Sequence, residues 1–219
     1  TFVVRDMKRV CNKNIPLYAV LSDFSTHELS ISPFVDGLFV ATKGERDKLL
    51  AKYPNVPIFS YGIPLRKAWD DVLNKYNLRK KLQLPLFQRI IVLTGGGEGI
   101  LPYDNIVDIL EKDKKESYII IFLGRNDKNK RTEYFLKNGS FVRFIPFSND
   151  YYQFVMASDL LISKPGGVTL AEAIRIGIPT VVCAPLPGQE KNNESYVINN
   201  YYAFQTIDDS FVASEFISK

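Results

Sequence analysis

Residues 160–193 of this chain read LLISKPGGVTLAEAIRIGIPTVVCAPLPGQEKNN. The short apolar run at 160–163 predicts a buried strand, and a Pro-Gly-Gly break at 165–167 ends it. The spacing of apolar residues over 169–176 predicts a helix, which Gly177 terminates. A second apolar run and a second Pro/Gly-rich turn follow before the next helix. The stretch is therefore strand, glycine turn, helix, strand, glycine turn, helix.

The same alternation extends back to residue 89 and predicts a parallel sheet. Five successive strand–helix units of this kind are covered by helices on both faces of the sheet. Ligands of such sheets bind outside the carboxyl ends of the strands, which here all lead into glycine, proline or small polar residues. The predicted strands are 90–93, 118–123, 141–145, 160–163 and 180–183. The predicted helices include 105–115, a segment ending at about 137, 150–157 and 169–176.

The part of the chain before Gly62 has too few strands for a complete doubly wound domain, which commonly has five or six. Its predicted elements are strands at 16–24, 37–41 and 57–61 and a charged helix at 43–53. It is interpreted as the back half of a Rossmann-like domain. Residues 62–65 break both neighbouring patterns and predict a linker, and a charged helix is predicted at 68–82. The expected domains are therefore 1–62 and 63–219.

The composition is that of an ordinary globular protein, with 46% apolar and 24% charged residues and a net charge of +4. No apolar run approaches transmembrane length, and the two cysteines lack metal or disulfide spacing, so a cytoplasmic protein is expected. Basic clusters at 79–81, 112–115 and 128–131 are typical of solvated helix ends, with attraction to an anionic membrane surface or a nucleotide as the alternative. No pattern indicates a nucleic-acid partner.

The sequence GGGEG at 95–99 follows a predicted strand. It has neither the spacing of a dinucleotide-binding motif nor the lysine of a P-loop. A tight turn that packs a helix on a strand would explain it, and so would close approach of a ligand or a second domain. Four glycines in five residues favour close approach.

The start of the helix after 160–163 is a candidate anion site. Ser163, Gly166, Gly167 and Thr169 lie there, where unpaired N–H groups and the positive helix end suit a phosphate. Glu172 lies on the same helix, at a position that can face the same rim. A carboxylate there would suit the two hydroxyls of a ribose or sugar, whereas a solvent-facing glutamate is the plain alternative.

Further polar and aromatic candidates follow other strands. Gln189, Glu190 and Asn193 begin the last helix of the stretch and offer groups for sugar hydroxyls, or simply complement the helix dipole. Phe147 could contact a base or be an ordinary core aromatic. His27, the only histidine, lies near Asp23 in SDFSTH, but no Ser-His-Asp order or metal cluster accompanies it.

Taken in order, these motifs resemble a known family. GGGEG, FLGRND, SKPGGVTLAEAIRIGIPTVV and PGQEKNN resemble the C-terminal half of the monogalactosyldiacylglycerol synthase and processive diacylglycerol glucosyltransferase family. They are similar, more distantly, to the N-acetylglucosaminyltransferase that makes lipid II. Upstream, SDFSTH and YGIPLRKAW resemble that family's T-D-F-x-x-H and G-I-P-I-R-P. The resemblance implies a GT-B fold, here a complete C-terminal donor domain preceded by a partial Rossmann-like acceptor domain.

The resemblance also implies a function. It implies inverting transfer of a hexose from a UDP-sugar to diacylglycerol or a similar lipid, at the inner face of the membrane, with no cofactor and no metal. Gly96 and Gly97 would approach the diphosphate or the acceptor, and Arg125 the nucleotide. Phe147 would present its backbone to uracil, and Glu172 would bind the ribose. The diphosphate would be held by Ser163, Gly166, Gly167 and Thr169. The sugar would be bound by Gln189, Glu190 and Asn193.

The sequence departs from the family on the acceptor side. The glycine-rich loop and first strands of the acceptor domain have no counterpart in these residues, and His27 and Asp23 are the remaining candidates for a catalytic base. Poor sugar transfer by this chain alone and self-association through exposed sheet surface are therefore expected. The alternative functions are a UDP-N-acetylglucosamine 2-epimerase-like enzyme and a non-enzymatic nucleotide-sugar-binding subunit that needs a partner.

Overall fold

The computed structural model describes residues 6, 10, 15–26, 31, 35–70, 73–125, 132–201, 204–208 and 210–218. These residues form two separate sheets, one of three strands and one of seven. The smaller sheet is parallel, and a helix packs on one of its faces. Its elements are β1 (Tyr18–Val20), β2 (Gly37–Val40), α1 (Lys43–Lys52) and β3 (Ile58–Ser60).

The larger sheet follows a short linker and a 3₁₀ turn at Lys67–Asp70. Its strands are β4 (Arg89–Thr94), β5 (Ser117–Phe122), β6 (Tyr134–Phe135), β7 (Phe141–Ile145), β8 (Leu160–Ser163), β9 (Thr180–Val182) and β10 (Phe204–Thr206). The helices around it are α2 (Lys75–Lys81), α3 (Tyr103–Glu111), α4 (Tyr151–Ala157), α5 (Gly167–Ile176), α6 (Gln189–Asn200) and α7 (Ala213–Ser218).

The strand order of the larger sheet is β10-β9-β8-β4-β5-β7-β6, and every pairing except β6 with β7 is parallel. The chain moves outward from β4 to β5 and β7, then returns to β8 on the other side of β4. At the carboxyl ends of these two central strands, Thr94 pairs with Ser163. This is the topological switch point of a doubly wound sheet, where a crevice opens. The predicted parallel α/β fold is confirmed.

Alternate residues of the central strands enter two apolar layers, which explains their continuous apolar sequences. One layer packs under α2, α4, α5 and α6, and the other packs under α3 and α7. Residues such as Ile90, Val92 and Leu161 belong to the first layer. Residues such as Ile91, Leu93 and Ile162 belong to the second.

The helix predicted to end near residue 137 is wrong over the described part of that segment. Tyr134 and Phe135 form β6, which pairs antiparallel with Val142 and Phe141. A tight turn joins the two strands, with Gly139 at a φ of +86°. Aromatic side chains favour such strand pairs. The single helix predicted at 68–82 is also wrong, because the 3₁₀ turn and α2 occupy this segment. The strand β10 is not among the predicted strands.

The loop after β1 docks on the helices of the larger sheet through one buried side chain, Asn193 of α6. Its Oδ1 accepts a hydrogen bond from the Phe24 N–H at 2.8 Å, and its Nδ2 donates to Asp23 Oδ1 at 2.8 Å and to the Pro165 carbonyl at 3.1 Å. The Phe24 ring stacks on Tyr196, with centroids 4.8 Å apart. The loop is therefore fixed against the start of α5 and against α6.

Replacing Asn193 with alanine should lower the free energy of unfolding by about 1–3 kcal/mol, because it leaves buried backbone groups without partners. Urea unfolding measures this, and Asn192→Ala, an exposed neighbour on the same helix, is the control. Equal stability of the two variants would contradict the interpretation of Asn193 as the bond that docks the loop.

Candidate functional site

A cleft of about 260 Å³ opens at the carboxyl ends of β4, β5, β7 and β8. It lies at the switch point, where the sheet topology predicts a ligand. Its walls come from the loops after these strands, from α4 and α5, and from the segment that follows the linker. The lining residues are Arg66, Trp69, Thr94, Gly96, Gly97, Phe122, Gly124, Phe147, Ser148, Asn149, Tyr151, Tyr152, Val168, Thr169 and Glu172.

The GGGEG loop serves two purposes at different positions. Gly99 has a φ of +63°, and a Cβ there would lie 1.8 Å from the Leu123 carbonyl oxygen, so this glycine allows the loops after β4 and β5 to pack backbone to backbone. Gly97 is exposed with nothing within 4 Å of such a Cβ, and Gly96 also lines the cleft. Close backbone packing therefore accounts for Gly99, whereas close approach of a ligand to Gly96 and Gly97 stays a prediction.

The first turn of α5 borders both the cleft and the docked loop. Thr169 lines the cleft. Gly167 is buried, and a Cβ on it would lie 2.0 Å from the Ser22 carbonyl oxygen, so only glycine allows the loop after β1 to come this close. Gly166 has open space beside it. Ser163 is buried, and its hydroxyl donates to the Lys164 carbonyl at 2.9 Å rather than facing the cleft.

Glu172 lies on the cleft wall in contact with residues from other elements. The Trp69 side chain hydrogen-bonds its carboxylate, and the charge of Arg66 acts on it. Burial nevertheless dominates and raises the pKa of Glu172 to about 7. Burial, together with the Glu172 charge, also raises the pKa of Tyr151, whose hydroxyl is hydrogen-bonded to Thr94. A carboxylate with a strongly shifted pKa inside a cleft is a candidate ligand-binding group.

An aromatic–cation pair includes Phe147, another residue that lines the cleft. The Arg125 guanidinium stacks over the Phe147 ring at 5.1 Å and lies 3.5 Å from a Glu98 carboxylate oxygen. The Phe147 N–H donates to the Gly124 carbonyl at 3.0 Å. The backbone group that Phe147 can offer a base is therefore its carbonyl oxygen. The Arg125 side chain is largely exposed.

The predicted sugar-reading residues of α6 differ in what they contact. Glu190 accepts a hydrogen bond from the Leu186 N–H at 2.9 Å and forms an ion pair with Lys164 at 2.9 Å. Asn193 uses its amide for the docked loop. Gln189 is half-buried at the first position of the helix. The sugar-reading roles of these three residues stay predictions.

Of the two candidates for a catalytic base, Asp23 lies within the described residues. Asp23 is fixed by Asn193 beside the start of α5, since its Oδ1 lies 3.0 Å from the position of a Cβ on Gly167. The structure thus brings Asp23 next to the candidate anion site. His27 lies outside the described residues.

Several residues that the fold brings to this region are not among the candidates predicted from the sequence, namely Arg66, Trp69, Thr94, Tyr151 and Lys164. Trp69 is the single tryptophan, and Lys164 lies inside the SKPGG motif, so both carry a signal that sequence reasoning could use. Thr94 and Tyr151 carry no signal in the sequence, because only tertiary packing brings them to Glu172.

A family model matches most of the residues that form the larger sheet and its helices. Residues 90–208 match the model of the glycosyltransferase family 28 C-terminal domain. The chain belongs to glycosyltransferase family 28. The matched residues include strands β5 to β10, and the family predicted from the motifs is confirmed.

Relatives in this family are processive diacylglycerol β-glucosyltransferases. The protein of Bacillus licheniformis is 31% identical over 200 residues, which cover 87% of this chain and 51% of the relative. The protein of Bacillus subtilis is 30% identical over 201 residues, covering 89% and 52%. The chain spans about half the length of the curated relatives it matches.

Solved glycosyltransferases share the fold. MurG of Acinetobacter baumannii superposes with a TM-score of 0.58 at 15% identity, covering 96% of this chain and 57% of MurG. UGT89C1 of Arabidopsis thaliana, solved with UDP-L-rhamnose, gives 0.61 at 11% identity, covering 98% and 58%. The lipopolysaccharide glycosyltransferase WaaG gives 0.54 at 13% identity, covering 98% and 70%. These likenesses confirm the GT-B fold class.

None of the helices in the described part of this family 28 chain is both long enough and apolar enough to cross a membrane.

The Glu172→Gln substitution should stabilise the protein more at pH 8 than at pH 4.5. The folded-state pKa of Glu172 is raised from 4.5 to about 7, so the folded protein holds this proton to higher pH than the unfolded chain does. Its contribution to stability therefore falls as pH rises from about 4.5 to 7. Glutamine removes that loss. Urea unfolding of both proteins at the two pH values measures the difference.

The control is Glu98→Gln, because Glu98 is 68% exposed. This substitution should change stability equally at both pH values. If the change in stability caused by Glu172→Gln is also the same at both pH values, burial does not raise the free energy of the ionised Glu172 carboxylate.

Proposed function

We propose that this chain carries the donor site of an inverting, metal-independent glycosyltransferase, which moves a hexose from a UDP-sugar to diacylglycerol or a similar membrane lipid. The observation that carries the proposal is the position of Glu172, on the helix whose first turn borders the switch-point cleft. One helix can then serve both ends of a nucleotide, with its N-terminus toward phosphate and its carboxylate toward ribose.

The walls of the cleft are consistent with a bound nucleoside diphosphate. In the proposed arrangement, Phe147 and Gly124 contact the base, Glu172 binds the ribose diol, and Gly96, Gly97 and the Gly166–Thr169 turn bind the diphosphate. Glycines without side chains allow phosphate oxygens to approach backbone N–H groups closely. UGT89C1, whose fold is similar, was solved with a UDP-sugar, which is consistent with this assignment.

The proposed transfer is a single displacement. The acceptor hydroxyl oxygen forms a bond to C1 of the sugar, and the electrons of the C1–O bond leave with the diphosphate. The N-terminus of α5 stabilises the charge that gathers on the leaving group. The hydroxyl proton passes to a base on the smaller domain, for which Asp23 and His27 are the candidates.

The acceptor side of the proposal depends on the relatives. Their name, processive diacylglycerol β-glucosyltransferase, favours glucose as the hexose and diacylglycerol as the acceptor. Since that acceptor resides in a membrane, peripheral association with the inner face of the membrane, from the cytoplasm, belongs to the proposal.

Self-association of this chain is a further part of the proposal. The face of the smaller sheet opposite α1 carries a row of aromatic rings, Tyr18, Phe39, Phe59 and Tyr61, with neighbouring centroids 5.3–6.1 Å apart. Tyr18 and Tyr61 are 56% and 79% exposed. Parallel sheets are normally covered on both faces, so this row favours burial against another surface.

Calorimetric titration with UDP tests the donor site directly. UDP should bind, NAD should not, and Glu172→Ala should weaken UDP binding about 10- to 100-fold, because hydrogen bonds to a charged group are lost. 2′-Deoxy-UDP should bind the native chain more weakly than UDP, whereas Glu172→Ala should bind the two alike. The control is Glu133→Ala, which lies away from the cleft.

Failure of UDP to bind the folded chain would contradict the donor assignment. Turnover of a UDP-sugar without any acceptor would instead support the epimerase-like alternative.

The affinity for uridine should also depend on pH; uridine is the probe because the terminal phosphate of UDP itself loses a proton at about pH 6. An ionised Glu172 accepts both ribose hydroxyls, so affinity should rise from pH 6 to pH 8 as the carboxyl with a pKa of about 7 loses its proton. Glu172→Gln should remove this rise. An unchanged pH profile in that variant would show that another group controls binding.

A further inference from the structure

Lys164 follows β8 directly at the switch point. The preceding residue, Ser163, pairs with Thr94, the last residue of β4, so Lys164 lies across from the start of the GGGEG loop. Its Cε is 3.6 Å from the position of a Cβ on Gly96, a residue of the cleft wall. The lysine side chain therefore runs along the glycine loop, at the border between the cleft and the start of α6.

We infer that Lys164 is the cation that binds the diphosphate of the nucleotide sugar, an inference that rests on the donor site proposed above. A lysine ammonium presents three N–H donors, and Glu190 takes an ion-pair contact at 2.9 Å. The ammonium thus lies between the glycine loop and the start of α6, where a diphosphate joins the nucleoside to the sugar.

Glu190 fixes the position of the Lys164 ammonium by direct contact. One carboxylate oxygen accepts from the Leu186 N–H at 2.9 Å, which fixes the turn before α6, and the other contacts the Lys164 ammonium. The side chains of Lys164 and Glu190 are only 23% and 15% exposed. An ion pair shielded to this degree is weakened less by salt than a surface pair is.

The other described cations that lie in or beside the cleft are placed for other parts of the nucleotide. Arg125 stacks on Phe147 at the wall assigned to the base. Arg66 acts on the Glu172 charge at the wall assigned to the ribose. Within the part of the chain that the structure describes, Lys164 is the cation placed beside both Gly96 and the start of α6.

The chemistry needs such a cation. Each phosphate brings negative charge into a region where Glu190 and Asp23 are already close. More charge gathers on the diphosphate when the bond to the sugar breaks. A helix N-terminus carries only about half a unit of positive charge, whereas an ammonium carries a full one.

The test compares UDP, UMP and uridine in calorimetric titrations of the native chain, Lys164→Met and Lys164→Arg. Lys164→Met should weaken UDP binding about 10- to 100-fold and leave uridine binding unchanged. Lys164→Arg should restore most of the UDP affinity, because it keeps the charge. The matched control is Lys191→Met, since Lys191 is an exposed lysine of α6 that pairs with Glu194.

Each outcome separates the two proposals. UDP binding by Lys164→Met as tight as by the native chain would overturn the role of Lys164 and leave the donor site standing. An equal loss of UDP and uridine affinity would also overturn it, because the role would then be structural. No UDP binding by the native chain would overturn both proposals.

Discussion

The parallel pairing of β4 with β8 is the contact on which the rest of the molecule depends. Both strands are buried on both faces, and Thr94 and Ser163 end them side by side. The chain leaves these two ends in opposite directions, so neither loop fills the space between them. The glycine loop begins at one end and the turn into α5 begins at the other. The cleft is thus a consequence of strand order, and its chemistry is a consequence of the residues at those two ends.

Glycine shows how one motif can satisfy two demands. In the sequence, GGGEG is compatible with a tight turn or with close approach of a ligand. In the structure, Gly99 meets the Leu123 backbone, whereas Gly97 borders open space. Gly167 repeats the first demand on the other side of the cleft, where the loop after β1 requires it. Some glycines of these turns therefore let backbone segments pack closely, and others leave the cleft wall free of side chains.

The elements predicted best from the sequence are the long apolar runs, because burial on both faces leaves little choice of structure. The prediction for the segment around Tyr134 and Phe135 is wrong because a short mixed run fits helix and strand equally, and the turn at Gly139 decides between them. The motif residues Gly96, Thr169 and Glu172 do reach the cleft. The contacts of Asn193 could not be predicted, because its partners Asp23 and Phe24 are separated from it by 170 and 169 positions in the sequence.

Two contacts hold the loop after β1 and the 3₁₀ turn at opposite ends of the proposed nucleotide site. At one end, Asn193 holds Asp23 and Phe24 against the first turn of α5. At the other, Trp69, which follows the linker, hydrogen-bonds Glu172. Glu172 is costly to ionise where it lies, and the Trp69 hydrogen bond offsets part of that cost. The docked loop therefore contacts the first turn of α5, and the 3₁₀ turn contacts the same helix about one and a half turns further on, so two separate segments of the chain pack against the helix that carries both Thr169 and Glu172.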